Sequence, residues 1–279
     1  MNEIQKHIIS RDGTRIGYRQ SGSGEGLIIV HGTGRISQNY ERLVSALAHH
    51  FTVFIYDRRG RGMSGSITSD HHIQTEVDDL VALCEATKAS YLFGHSFGGV
   101  IALQAATKCA IKRIAVYEPP ISIDNSIPDN WLPEFEDAVS RGKKVKAMTI
   151  FVKALPPPDI RTLPKETLYL LVYAVKFMER NKTNESKMLN LLYTIPPDMK
   201  IVKQLESMAH IYKDVTTPTL LMGGTKSQDF FQQSVKFLGQ TLPASQTKIF
   251  NDFDHYSPEE RVAEISAALV QFYNGVINL

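Results

Sequence analysis

An α/β fold, with a mostly parallel central sheet and helices on both faces, is predicted by three observations on the 279-residue chain. Short β-branched or aromatic runs alternate with helical patterns over most of the length. The helical patterns carry apolar residues at spacings of three and four. The alternation stops once, between Glu118 and Pro218, where only helical patterns and proline clusters remain.

The chain opens on two extended segments, 4–10 and 15–20, flanking Asp12-Gly13, a dipeptide suited to a tight hairpin, so an antiparallel edge is expected to begin the sheet. Strands are expected next at 27–30, 52–56, 91–93, 114–117, 219–222 and 247–250. The helices between them bury one stripe each: Tyr40, Leu43, Val44 and Leu47 in one; Val77, Leu80, Val81 and Cys84 in another; Val262, Ile265, Leu269 and Phe272 near the end. Between Glu118 and Pro218 the helices are broken at Pro119-Pro120, Pro156-Pro157-Pro158 and Pro196-Pro197, because proline lacks the N–H and clashes with the preceding turn. This reads as a helical cap, residues 121–213, inserted after the sixth strand into a core of residues 1–120 and 214–279; a second independent domain would give the same pattern.

Composition narrows the function. With 43% hydrophobic residues the chain can bury a sizeable core, and 31 Lys plus Arg against 29 Asp plus Glu leave a formal charge of +2, too weak a field to recruit nucleic acid or an anionic membrane. Cys84 and Cys109 each sit in an apolar helical pattern, which fits reduced core thiols and a cytoplasmic setting better than a disulfide framework. No apolar signal core follows Met1, and no window of eighteen apolar residues exists, so secretion and membrane insertion are not expected. A small-molecule substrate, with the protein a monomer or homodimer, is the expectation.

The strongest motif is Gly94-His95-Ser96-Phe97-Gly98, between the strand at 91–93 and an apolar helix. A serine on such a strained strand-to-helix turn exposes its Oγ above the sheet, and the two glycines remove Cβ atoms that would clash. The helix start beyond it offers backbone N–H groups and a positive dipole end where an oxyanion would form.

With this nucleophile elbow in place, the chain resembles the α/β-hydrolase family over nearly its whole length. His31-Gly32-Thr33-Gly34 looks like the family's oxyanion-hole loop, which implies the backbone N–H of Thr33 as one donor and that of Phe97 as the other. Asp57-Arg58-Arg59-Gly60-Arg61-Gly62-Met63-Ser64-Gly65 is similar to the family's Asp-x-Arg-Gly-x-Gly-x-Ser turn, with a structural role. The family order of serine, acid and histidine implies His255 as the base, since of nine histidines only it lies between the last predicted strand and the closing helix. His49, His50, His71 and His72 read as solvated. Asp254 stands before His255 where relatives usually carry glycine, so an acidic approach through Asn251-Asp252-Phe253-Asp254 could shift the base.

The acid is open between two places. The turn after the strand at 219–222 is the usual one, but it reads Gly223-Gly224-Thr225-Lys226-Ser227-Gln228-Asp229, and Asp229 also suits a plain helix cap. Some members carry the acid at the end of the preceding strand, where Glu118 stands, with an arginine such as Arg113 or Arg58 as its structural alternative partner. Glu118 is favoured, followed by Asp229 and then the Asp252 or Asp254 pair.

The resemblance implies a cofactor-independent and metal-free serine hydrolase, carboxylesterase-like, acting on a small to medium apolar ester or lactone through an acyl-enzyme. Tyr169, Tyr173, Phe177, Met178 and Tyr193 lie at spacings that present an apolar face either over the site or into the cap's own core. A small-molecule receptor with vestigial turnover, a perhydrolase or acyltransferase, and a carbon–carbon bond hydrolase would use the same residues.

Overall fold

A computed structural model of the chain describes residues 3–156, 160, 162–178 and 188–276. Eight strands form one sheet in the order β1-β2-β4-β3-β5-β6-β7-β8. The opening hairpin pairs β1 (Ile4–Ile9) with β2 (Arg15–Gly22), and β2 runs antiparallel to β4 (Thr52–Tyr56). Gly13 supplies the turn with φ +86°, its N–H bonding the Ser10 carbonyl at 2.9 Å. The remaining strands, β3 (Gly26–Val30), β5 (Tyr91–His95), β6 (Arg113–Tyr117), β7 (Thr219–Gly224) and β8 (Ser245–Phe250), are parallel to β4 and to one another.

Side chains alternate across this sheet, so each strand feeds two cores. Ile28, Val30, Leu92, Ile114, Val116 and Leu221 pack against α2 (Ile73–Thr87), α3 (Phe97–Ala105) and α8 (Asp229–Thr241). On the other face Leu27, Ile29, Phe93, Ala115, Tyr117 and Met222 meet α1 (Glu41–Leu47) and α9 (Val262–Tyr273). Continuous burial on both faces is why β3 and β5 to β7 read in sequence as unbroken apolar runs.

Between β6 and β7 lie α4 (Leu132–Ser140), α5 (Lys144–Ala154), α6 (Lys165–Met178) and α7 (Ile195–Leu205). They gather an apolar cluster of their own around Trp131, Phe135, Met148, Val172 and Ile195. Pro196 and Pro197 occupy the first turn of α7, where a missing N–H leaves no helical bond unmade. Pro157 and Pro158 lie outside the described residues.

Three expectations are corrected. Tyr169, Tyr173 and Phe177 point neither over a site nor into the core: they are 46%, 57% and 61% exposed, because α6 is apolar almost all round and buries Leu168 and Val172 instead. Tyr193 is also exposed and donates its hydroxyl to the Gly60 carbonyl, while the Met178 side chain lies outside the described residues. Cys109 is half-buried beyond the end of α3, whereas Cys84 is buried within α2; both are free thiols. His71, expected in solvent, has its ring buried 3.2 Å from the Glu76 carboxylate. No helix among the described residues is long and apolar enough to cross a membrane.

Candidate active site

Ser96 sits between β5 and α3 with φ 55° and ψ −131°, a left-handed conformation that costs a non-glycine residue about 1–3 kcal/mol and is kept only where its surroundings enforce it. The enforcement is steric. A Cβ on Gly94 would meet Gly98 O at 2.5 Å, and one on Gly98 would meet Val30 O at 2.1 Å, so two glycines let the first turn of α3 lie directly on the strand ends. A Cβ on Gly32 would come within 2.8 Å of Ser96 Cβ, which places the loop after β3 against the nucleophile.

Glu118 ends β6 with φ 48° and is 1% exposed. Its Oε2 lies 2.8 Å from Nδ1 of His255, and its Oε1 accepts from the Gly224 N–H at 2.7 Å and the Ser227 hydroxyl at 2.5 Å. The alternative arginine partners are engaged elsewhere: Arg113 bonds the Phe272 carbonyl, and Arg58 is held by Glu76 and Asp198. Asp229, the alternative acid, is exposed at the start of α8. Asp252 is exposed and pairs with Lys226, and Asp254 turns its carboxylate onto Tyr256 N–H and the Ser257 hydroxyl, closing the turn into the helical segment Ser257–Glu260.

His255 is held on several sides. Its ring stacks on Phe231 with centroids 3.9 Å apart and planes at 11°. Its carbonyl accepts from His95 Nε2 at 2.8 Å, and His95 Nδ1 in turn receives the Tyr40 hydroxyl at 2.5 Å. Because the carbonyl can only accept, His95 is a neutral imidazole protonated at Nε2, and burial accordingly holds its pKa well below the usual histidine value. Burial also pushes His255 down, to about 3, helped by the nearby Arg35 guanidinium and opposed by Asp254. The same burial raises Glu118 to about 8, against the donors of Ser227 and Gly224.

Ser96 and His255 open into one cavity of about 790 Å³, counting solvent at its mouth. Thr33 and Arg35 stand on its polar side, and Phe151, Leu155, Met199, Val202, Phe230 and Phe231 form most of an apolar wall. Among the described residues no hydrogen bond joins Ser96 Oγ to the His255 ring, a looseness common in sites without substrate. The arrangement supplies a serine, an imidazole oriented by a buried carboxylate, and a helix N-terminus beside it: the parts of nucleophilic acyl transfer.

Several neighbours escaped the sequence. Tyr40, Arg35 and Ser227 reach the site by long-range packing, and Asp198 of α7 enters through three buried arginine contacts. The one available signal for Asp198 was the run Arg58-Arg59-Gly60-Arg61, whose buried cations require carboxylates from elsewhere. His71, Glu76 and Asp198 lie close enough together to hold a metal ion, but both carboxylates are already paired with Arg58.

Residues 26–262 match the family model of the alpha/beta hydrolase fold. A cis-3-alkyl-4-alkyloxetan-2-one decarboxylase of Shewanella oneidensis is 22% identical over 96% of this chain and 88% of its own. Lipase 3 of a Moraxella species is 24% identical over 97% and 85%. Among solved structures, an alpha/beta hydrolase from Sphaerobacter thermophilus superposes with a TM-score of 0.78 at 29% identity, covering 96% of this chain and all of that one. The strand order, the elbow between β5 and α3, and this match over most of the sequence lead to one conclusion: the chain belongs to the alpha/beta hydrolase fold family.

Proposed function

We propose that the protein is a serine hydrolase that cleaves a small to medium apolar carboxylic ester or lactone through an acyl-enzyme. The observation that carries this is the 2.8 Å contact between His255 Nδ1 and the buried Glu118 carboxylate, behind a ring that lines the same cavity as Ser96. Ser96 Oγ attacks the acyl carbonyl while His255 Nε2 takes its proton. The Thr33 and Phe97 amides receive the oxyanion. Protonated His255, oriented by Glu118, then protonates the departing alkoxide, and afterwards activates water to release the acid. Each proton transfer has a side chain of this chain to carry it. The apolar wall formed by Phe151, Leu155, Met199 and Val202 supports an apolar acyl or alcohol group. The two full-length relatives, named as a lipase and as an enzyme of an oxetan-2-one, are consistent with ester and lactone carbonyls.

The test is hydrolysis of short and medium p-nitrophenyl esters by wild type and Ser96→Ala, with burst kinetics to detect the acyl-enzyme. Loss of turnover to background in a folded Ser96→Ala protein is expected. Turnover that survives the substitution would overturn the proposal.

A further inference from the structure

The family turn after β4 buries three arginines completely, and two of them converge on one carboxylate that belongs to the cap segment. Asp198, in the first turn of α7, is fully buried. Its Oδ1 accepts from Arg58 Nη2 at 2.7 Å, and its Oδ2 accepts from Arg58 Nη1 at 3.0 Å and Arg61 Nη2 at 2.8 Å. A fourth donor is different in kind: the hydroxyl of Thr33, on the loop after β3, bonds Asp198 Oδ2 at 2.9 Å. Arg58 is gripped from its other side by Glu76 at 2.5 and 3.0 Å, so the guanidinium that holds Asp198 is itself fixed. The plane of Arg58 lies 4.6 Å over the ring of Phe97, and its backbone N–H bonds His31 Nε2 at 3.1 Å.

The side chains of Thr33 and Phe97 therefore end on one buried ionic cluster, and their backbone amides are the two donors expected to receive the oxyanion. Charge-assisted bonds between fully buried groups are short and directional, and breaking one strands a charge in a low-dielectric interior. Such a cluster sets positions more firmly than a solvated pair would. Thr33 precedes Gly34, which has φ +65° and open space where a Cβ would stand. The loop is pinned before Thr33, where Gly32 presses on Ser96, and after it, where Arg35 is tied to Glu259 at 2.7 Å, and the hydroxyl bond to Asp198 restrains Thr33 itself.

We propose that Asp198 is a positioning residue: through the Thr33 hydroxyl, the cap helix α7 holds the oxyanion loop in its productive geometry, so that docking of the cap completes the active site. The inference rests on the serine-hydrolase reading above. It differs from a purely structural role because the restraint acts on an amide needed in the transition state, so its loss falls on kcat and not on KM.

Thr33→Val removes the hydroxyl at nearly constant volume and leaves every arginine–carboxylate contact in place, whereas Asp198→Asn disturbs Arg58 and Arg61 as well. Ester hydrolysis by Thr33→Val is expected to fall about 10- to 100-fold in kcat with KM within twofold, the size of effect expected when a positioned group drifts by about 1 Å. Thr33→Ser, which keeps the hydroxyl, is expected to recover most of that loss. Asp198→Asn combined with Thr33→Val should lose little more than Asp198→Asn alone. Backbone hydrogen exchange over residues 31–37, read by mass spectrometry, should quicken in Thr33→Val at unchanged melting temperature. Unchanged kcat and unchanged exchange in folded Thr33→Val would overturn the proposal while leaving the hydrolase reading intact. Activity that persists in Ser96→Ala would overturn the hydrolase reading, and the positioning role would fall with it.

Discussion

Replacing Glu118 by Gln changes one atom and should nearly silence the enzyme. Oε1 of Glu118 receives the Gly224 N–H at 2.7 Å and the Ser227 hydroxyl at 2.5 Å. The new amide must keep its oxygen there, because turning its NH₂ toward Gly224 would set two donors 2.7 Å apart. The NH₂ then faces His255 Nδ1, which must become an acceptor, and the ring proton moves to Nε2. An imidazole protonated at that nitrogen cannot take the Ser96 proton. The equivalent wrong-tautomer effect in a Ser-His-Asp site is about 10⁴-fold in kcat, which corresponds to about 5 kcal/mol of transition-state stabilisation. Stability should change far less, since the shape and all three hydrogen bonds survive, the one to His255 with its direction reversed. The pH profile adds a second readout. In the wild type, burial moves Glu118 up to about 8 and His255 down to about 3, so the pair keeps one shared proton between those values and releases it as the pH rises through the upper one. The base-competent form therefore accumulates toward alkaline pH, and kcat/KM should climb up to about 8. In Glu118→Gln only the partly buried imidazole titrates, so the residual rate should be flat above about pH 5. Steady-state hydrolysis of p-nitrophenyl butyrate across pH, with circular-dichroism melting as the folding control, measures both. Activity within tenfold of wild type, or an acid limb that does not move, would refute the tautomer reasoning.

Asp229→Asn, at an exposed helix start whose carboxylate takes no part in the Glu118–His255 contact, is expected to leave kcat and KM unchanged in the same assay. Arg35→Gln removes a positive charge that lowers His255, so in the Glu118→Gln background, where the imidazole alone sets the acid limb, that limb should move to higher pH; a shift to lower pH would contradict the assigned sign. Gly98→Ala would force a Cβ to within 2.1 Å of the Val30 carbonyl oxygen, so the elbow must open at a cost of about 1–3 kcal/mol or more in chemical denaturation, with activity lost alongside.

The parts of this molecule that could be read from sequence are those governed by local periodicity. The strands at β3 to β7 appeared as apolar runs because both faces are covered, and the elbow appeared because its serine and two glycines fall inside a five-residue span, even though the contact Gly98 answers, with the Val30 carbonyl, lies far along the chain. Glu118 could be favoured because a carboxylate ending a buried strand demands a donor, and the imidazole of His255 lies within reach of it. What stayed hidden depends on partners far along the chain. Asp198 meets Arg58 across 140 positions, a contact that leaves no periodic trace in either segment. The outward turn of Tyr169, Tyr173 and Phe177 was hidden for the opposite reason: a helix apolar on every side contains no record of which side the fold selects. Asp254 reads as a perturber of the base by adjacency, and it does oppose the fall of the His255 pKa; its second task, closing the next turn with its carboxylate, was not legible.

The α4 to α7 segment lies between two strands that pair directly with each other, Ile114 opposite Thr219 through Tyr117 opposite Met222. The sheet's register is therefore independent of how much chain intervenes. Lengthening such an insertion costs little, about 0.6 kcal/mol of closure entropy for each doubling when the chain is flexible. A lineage could exchange the α4 to α6 region, and with it the Phe151 and Leu155 part of the apolar wall, without disturbing the strand ends that carry Ser96, Glu118 and His255. The tolerance stops at α7, because any replacement would have to return a carboxylate to Arg58 and Arg61. The insertion thus divides into a freely variable outer part and one conserved-by-physics contact, and new specificities would be expected to arise in the former while every descendant retains the latter.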